Sequence, residues 1–208
     1  MINVLYVKVN PQVDEASFST RLAQAFLDEY QTVNPSDTVT TVDLYKEGVP
    51  LIDSDVLSAW GKAGANQELT EDETVKVERM GALLEQFLQA DKVIFSAPMW
   101  NLSFPPLMKA YIDNILIAGK TFKYTESGPV GLATGKKVAL LEARGGVYSE
   151  GPAAELEFTQ KYFRTVMGFI GIQDVELVVA EGMAYAPAEA DQILANAVEK
   201  AKSVAKTF

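Results

Sequence analysis

Apolar residues fall along the chain in two alternating kinds of run. Residues 2–9 are β-branched and nearly continuous in apolar character, the mark of a strand buried on both faces. A polar turn over 10–16 leads into a helical pattern that sets Phe18, Leu22, Phe26, Leu27 and Tyr30 on one side. Asn34-Pro35-Ser36-Asp37 closes that helix, and 39–44 reads as a second short strand. Residues 48–69 are mixed and predict a broken helix or an excursion. Glu71, Asp72 and Glu73 open the next helix, where the positive end of the helix dipole favours acids. Val77, Met80, Leu83, Leu84, Phe87 and Leu88 form its buried stripe, and 92–97 is the third strand.

Pro105-Pro106 suits a first helical turn, and Leu107, Met108, Tyr111, Ile112, Ile115 and Leu116 continue it. That stripe is wide enough to cover a partner as well as a sheet. Residues 119–135 predict a loop or small hairpin with Phe122 and Tyr124 exposed on it. A fourth strand at 137–143, a helix over 152–170, a fifth strand at 175–180 and a final helix complete the pattern. Strands alternating with helices five times predict an α/β fold whose parallel sheet is covered on both faces. Five strands suit the doubly wound order 2-1-3-4-5. With no repeat and no linker, 1–208 reads as a single domain.

Composition narrows the chemistry. The chain has no Cys, which excludes disulfides, thiolate metal sites and cysteine nucleophiles, and no His, which removes the Ser-His-Asp arrangement and the usual zinc sites. A net charge of −10 argues against a nucleic-acid partner. No apolar run approaches the roughly 20 residues that span a bilayer, and no leader is visible, so a cytoplasmic location is expected. Catalysis must rest on carboxylates, Lys, Tyr, backbone groups or a cofactor from outside.

In the predicted sheet order, ligands bind beyond the carboxyl ends of the strands, at the loops after strands one, three and four. The first loop delivers Ser17, Phe18 and Ser19 into a helix N-terminus, an arrangement that suits an anion. The plain alternative is that Ser17 only caps the helix, and Asp14 and Glu15 oppose a phosphate unless they point away. Neither GxGxxG nor GxxxxGK[ST] occurs. The second loop crowds Pro98, Met99, Trp100, Asn101 and Leu102 together, which suits a flat aromatic ligand or, alternatively, a hydrophobic plug. The third holds Ala143, Arg144, Gly145 and Gly146. There two glycines allow close backbone approach and Arg144 is a fixed donor, although a tight turn explains the sequence as well.

Those segments, with the block over 122–132 and Thr134-Gly135-Lys136-Lys137, resemble the FMN-dependent NADH-azoreductase family in order and spacing over essentially the whole chain. That family consists of flavodoxin-like flavoproteins that also reduce quinones. The resemblance implies that the serine-rich first loop holds the FMN phosphate and that the segment from Met99 to Leu102 lines the isoalloxazine ring. The segment from Ala143 to Gly146 would close over the ring's other edge. Many relatives carry Ser where this chain has Asn10, which can still donate to a phosphate. The resemblance further implies a homodimer with a shared substrate cleft, on which Phe122, Tyr124 and Tyr148 are the substrate-side candidates. NADH is the expected hydride donor, with NADPH also admissible, and a quinone or azo compound the acceptor, exchanged by a ping-pong scheme. No side chain is nominated as catalytic, because a flavin carries the hydride chemistry; Tyr124 and Tyr148 are conceivable but weak candidates for proton donors. The competing readings are an FMN-binding electron carrier without its own substrate and a flavin-free interaction domain.

Overall fold

In the computed structural model, which describes residues 1–208, the near-continuous apolar run at the start of the chain becomes β1 (Asn3–Lys8) at the interior of a five-stranded parallel sheet. β2 (Thr38–Asp43) forms one edge beside it, and β3 (Lys92–Pro98) pairs on its other side. Two short antiparallel strands, β4 (Phe122–Thr125) and β5 (Gly128–Gly131), stand apart from the sheet. β6 (Lys137–Arg144) and β7 (Asp174–Glu181) then complete it, so the spatial order β2-β1-β3-β6-β7 is the predicted 2-1-3-4-5 once the hairpin is set aside.

The strands are apolar on both sides because each face has its own cover. Leu5, Val7, Val9, Val138 and Leu140 pack into one core, under α3 (Glu71–Gln89), α4 (Pro106–Ile115) and α5 (Thr159–Phe169). Val4, Tyr6, Ala139, Leu141 and Ala143 face the other, under α1 (Phe18–Val33) and α6 (Ala190–Ala205). The period of two along each strand sorts its residues between the cores. Fully buried side chains such as Phe26 and Phe87 each contribute about 1.5–3 kcal/mol through this burial.

Four expectations are corrected. Residues 48–69 contain one regular helix, α2 (Ser54–Gly64), which buries only Val56 and Ala59 and therefore shows little apolar period. It is fixed by polar contacts instead: Asp53 caps it, Lys76 reaches Asp53 and Asp55 at 2.5 and 2.6 Å, and Lys62 meets Glu73 at 2.8 Å. Hydrogen bonds from Lys62, Ser58 and the Thr70 N–H hold the Glu73 carboxyl down to about 2. The helix expected over 152–170 divides into a 3-10 turn, Gly151–Leu156, and α5, because the Glu157 carboxylate takes the N–H groups of Thr159 and Gln160 and starts a new helix there. The apolar stripe of α4 is largely used inside the chain, with Met108, Ala110, Tyr111, Ile112 and Ile115 all buried.

Phe122 is the fourth correction. It is not exposed: its ring lies 4.7 Å from that of Phe169 and 5.5 Å from that of Tyr124. The hairpin folds onto the end of α5, where Gly131 meets Gly171 so closely that a Cβ on Gly131 would fall 2.2 Å from the Gly171 nitrogen. Tyr124 remains exposed at its outer face.

Candidate functional site

At the carboxyl end of the sheet, the loops after β1, β3, β6 and β7 surround a cleft of about 270 Å³. β1 ends in Lys8, whose side chain is buried between Asp14, at 2.5 Å, and Asp43, at 3.5 Å. Burial alone lowers an ammonium group, yet hydrogen bonds and attraction from these two carboxylates hold Lys8 above its ordinary value. Asp14 is thus tied to a lysine, which answers the objection that its charge faces a bound phosphate.

Beyond Asp14 the chain enters α1 through a buried neutral network. Ser17 Oγ accepts from the Thr20 N–H at 3.1 Å, the Thr20 hydroxyl at 2.9 Å and the Asn10 amide at 2.8 Å. With donors already crowding its oxygen, Ser17 gives its own hydrogen to Ser19 Oγ, 3.2 Å away, which leaves the Ser19 hydrogen to donate onward. Ser17 therefore does cap the helix, and the capping itself turns its hydroxyl into a donor. The N–H groups of Phe18 and Ser19, in the first turn of α1, find no acceptor in the chain. Hydroxyls and free N–H groups at the positive end of a helix form a donor set suited to an anion such as phosphate.

The second loop is held to the third by the Met99 N–H, which donates to the Ala143 carbonyl at 2.8 Å. Trp100 and Ser103 then exchange backbone hydrogen bonds at 2.8 and 3.0 Å around a tight turn. Its two central residues, Asn101 and Leu102, sit at φ 49° and 69°. For a leucine this left-handed geometry costs about 1–2 kcal/mol, and it leaves the N–H groups of both central residues without partners. The Trp100 ring meets Tyr45 edge-on, with 6.5 Å between centroids.

In the third loop the N–H groups of Gly145 and Gly146 also lack acceptors. A Cβ on Gly146 would come 3.0 Å from the Tyr148 ring, so the tyrosine packs closely over this glycine. The guanidinium of Arg144, read from sequence as a fixed donor beside the ligand, is engaged within the protein. It is buried and engaged by Glu142 at 2.7 Å, Glu157 at 3.1 Å and Glu181 at 3.5 Å.

The cleft brings together Asn10, Phe18, Ser19, Pro98, Met99, Trp100, Ala143, Arg144 and Gly145 of the predicted residues. Ser17, Asn101, Leu102 and Gly146 adjoin that lining without being part of it, and neither Tyr124 nor Tyr148 lines it. Sequence reasoning missed Gln12, Met183 and Ala184. The last two follow β7, the strand next to β6, and Gly182 at φ 98° was the available turn signal before them. Apolar walls from Phe18, Met99, Trp100 and Met183, edged by unpartnered N–H groups, fit a flat heteroaromatic ring joined to an anionic tail.

Comparison with known proteins agrees with this geometry. The family model described as "Flavodoxin-like fold" matches residues 2–205. An FMN-dependent NADH:quinone oxidoreductase of Bacillus pumilus is 50% identical over the full length of both chains. Among solved structures, an azoreductase from Bacillus anthracis strain Sterne superposes with a TM-score of 0.94 at 48% identity, covering all of both chains. A second, titled an FMN-dependent NADH-azoreductase from Bacillus anthracis in complex with FMN, superposes with a TM-score of 0.94 at 36% identity, covering 100% of this chain and 99% of its own.

Proposed function

The chain belongs to the flavodoxin-like-fold family, and from that premise we propose that it is an FMN-dependent oxidoreductase that takes hydride from NADH and reduces quinones and azo compounds. The observation that carries this reading is the cleft itself: free helix N–H groups and serine hydroxyls at one end, and apolar walls with unpartnered backbone donors at the other.

Each residue then has a task. The N–H groups of Phe18 and Ser19, with the hydroxyls of Ser17 and Ser19, hold the phosphate, and Asn10 orients Ser17. Pro98, Met99 and Trp100 form one wall of the ring site. Asn101 and Leu102 present their N–H groups beside that wall, and Ala143, Gly145 and Gly146 bound the opposite edge. Bound FMN supplies the hydride chemistry, so the protein contributes binding, orientation and electrostatics rather than an acid, a base or a nucleophile. Protons for the acceptor come from water. Tyr124, exposed on the hairpin, and Tyr148, packed over Gly146, are the substrate-side residues.

Donor and acceptor occupy one place in turn, which makes the kinetics ping-pong. The whole of 1–208 acts as one FMN-binding domain, in the cytoplasm where NADH is available. The working form is a homodimer, a reading supported by exposed Trp100, Tyr124, Leu156 and Phe158 around the cleft and hairpin. The test is an absorbance spectrum before and after anaerobic NADH, followed by initial rates with a simple quinone. A yellow protein that NADH bleaches and that gives parallel reciprocal plots fulfils the reading. A protein that takes up no FMN defeats it, and intersecting plots without bleaching defeat the shared place. Sedimentation of an active species at 22.7 kDa, the mass of one chain, would rule out the dimer.

A further inference from the structure

Beneath the third loop lies a group of charges that the reaction does not use. Arg144 is 1% exposed, and carboxylates reach it from three separate segments: Glu142 on β6 itself, Glu157 just before α5, and Glu181 at the end of β7. Three acids around one guanidinium leave an excess of negative charge, although the Nε and Nη1 of Arg144 have no hydrogen-bond partner. The cluster's outward contacts are of another kind. Glu181 accepts the backbone N–H groups of Tyr148 and Ser149, at 2.9 and 3.2 Å, together with the Ser149 hydroxyl. Glu157 accepts the N–H groups of Thr159 and Gln160, at 2.7 and 3.0 Å, and so fixes the start of α5. Next to Glu157, exposed Phe158 lines an open groove of about 640 Å³ that reaches Ser103 in the β3 turn.

One guanidinium therefore braces two wall segments, the far part of the loop 145–149, whose two glycines are themselves bonded through the backbone to Gly182, Ala184 and Tyr185, and the entry to α5; both adjoin the cleft or the groove beside it. Neither segment is tied down by regular sheet pairing. We infer that Arg144, acting through Glu181 and Glu157, is a positioning residue that sets these two walls for donor and acceptor and plays no part in holding the cofactor. The inference rests on the oxidoreductase reading above.

The test uses FMN-loaded protein and four measurements: FMN affinity by fluorescence quenching, the rate of reduction by NADH, and KM and kcat with 1,4-benzoquinone. In Glu181→Ala the loop loses its acceptor, and KM for both substrates is expected to rise about tenfold with kcat and FMN affinity within threefold of the parent. Glu181→Gln keeps an oxygen for the two N–H groups and should recover most of that loss. Should Glu181→Ala fail to fold, Ser149→Ala, an exposed change, should still raise KM about two- to threefold. A folded Glu181→Ala or Ser149→Ala protein with unchanged KM overturns the inference, as does a loss of activity that only follows a loss of FMN. A parent protein that binds FMN but reduces no quinone with NADH instead defeats the underlying reading, and this inference with it.

Discussion

Two polar clusters are buried at the carboxyl end of this sheet, and they differ in what they leave spare. The cluster at the start of α1, formed by Asn10, Ser17, Ser19 and Thr20, is neutral and ends with a surplus of donors. The cluster around Arg144 is charged, and its unpartnered buried atoms are of both kinds: a Glu142 oxygen and the Nε and Nη1 of Arg144. Burial pushes the Glu142 carboxyl up despite the hydrogen bond from Arg144. Burial works the same way on Glu157, but there hydrogen bonds from Thr159 and Gln160, together with Arg144, win and hold the carboxyl below its usual range. A neutral cluster with spare donors can receive an anion; one in which three acids surround a single guanidinium carries net negative charge and serves the protein's own segments. Burial alone does not separate a binding site from a strut, whereas the net charge of the cluster does.

The harshest challenge to this contrast is Arg144→Met. It strands buried carboxylates without a counter-ion, and the unfolding free energy should fall by about 3–5 kcal/mol in chemical denaturation. A loss under ~1 kcal/mol, the scale of an exposed ion pair, would mean that the cluster is not holding its segments. Phe122→Ala provides a benchmark in neither cluster. Removing a ring packed on Phe169 should cost about 3–4 kcal/mol of stability, and the same denaturation experiment reads it. The double variant Ser17→Ala with Ser19→Ala should act mainly on the ligand. FMN binding is expected to weaken by about 1–3 kcal/mol, with about 1 kcal/mol of stability lost through the cap. Unchanged FMN affinity in titrations would remove the distinction between the two clusters.

The smallest effect sharpens the comparison through pH. A carboxyl whose folded pKa is raised destabilises the fold once pH passes the unfolded value, and the penalty is complete above the folded value. Glu142 follows that rule, so Glu142→Gln should gain stability relative to the parent as pH rises from about 4 towards neutrality. Glu157 has the opposite sign: its contribution is present above the unfolded value and lost as pH falls through its depressed folded one. Denaturation curves of Glu142→Gln and the parent at several pH values give the slope directly, and a flat difference would contradict the raised Glu142.

The strands and the order of the sheet were legible because β1, β3 and β6 are apolar on both faces, a demand that local sequence expresses openly. The three loops were legible through topology, which places them together whatever their composition. α2 was not, since it is secured by Lys76 and Lys62 reaching across to acids, pairings that leave no period. The break before α5 was hidden for the same reason: Glu157 starts a helix through contacts that look, in sequence, like the middle of one. The partners of Arg144 were not legible because its three carboxylates lie 2, 13 and 37 positions away, brought together only by the packing of β6, β7 and α5. Phe122 read as exposed because its partner Phe169 lies in another element altogether.

The left-handed turn at Asn101 and Leu102 has a consequence for the time course of cofactor uptake. Its unfavourable backbone is already adopted in the folded chain, closed by the mutual hydrogen bonds of Trp100 and Ser103, so this loop has no rearrangement left to make when a ligand arrives. Mixing apoprotein with FMN should then give a single exponential whose rate climbs in proportion to flavin concentration, without the plateau that a slow loop isomerisation imposes.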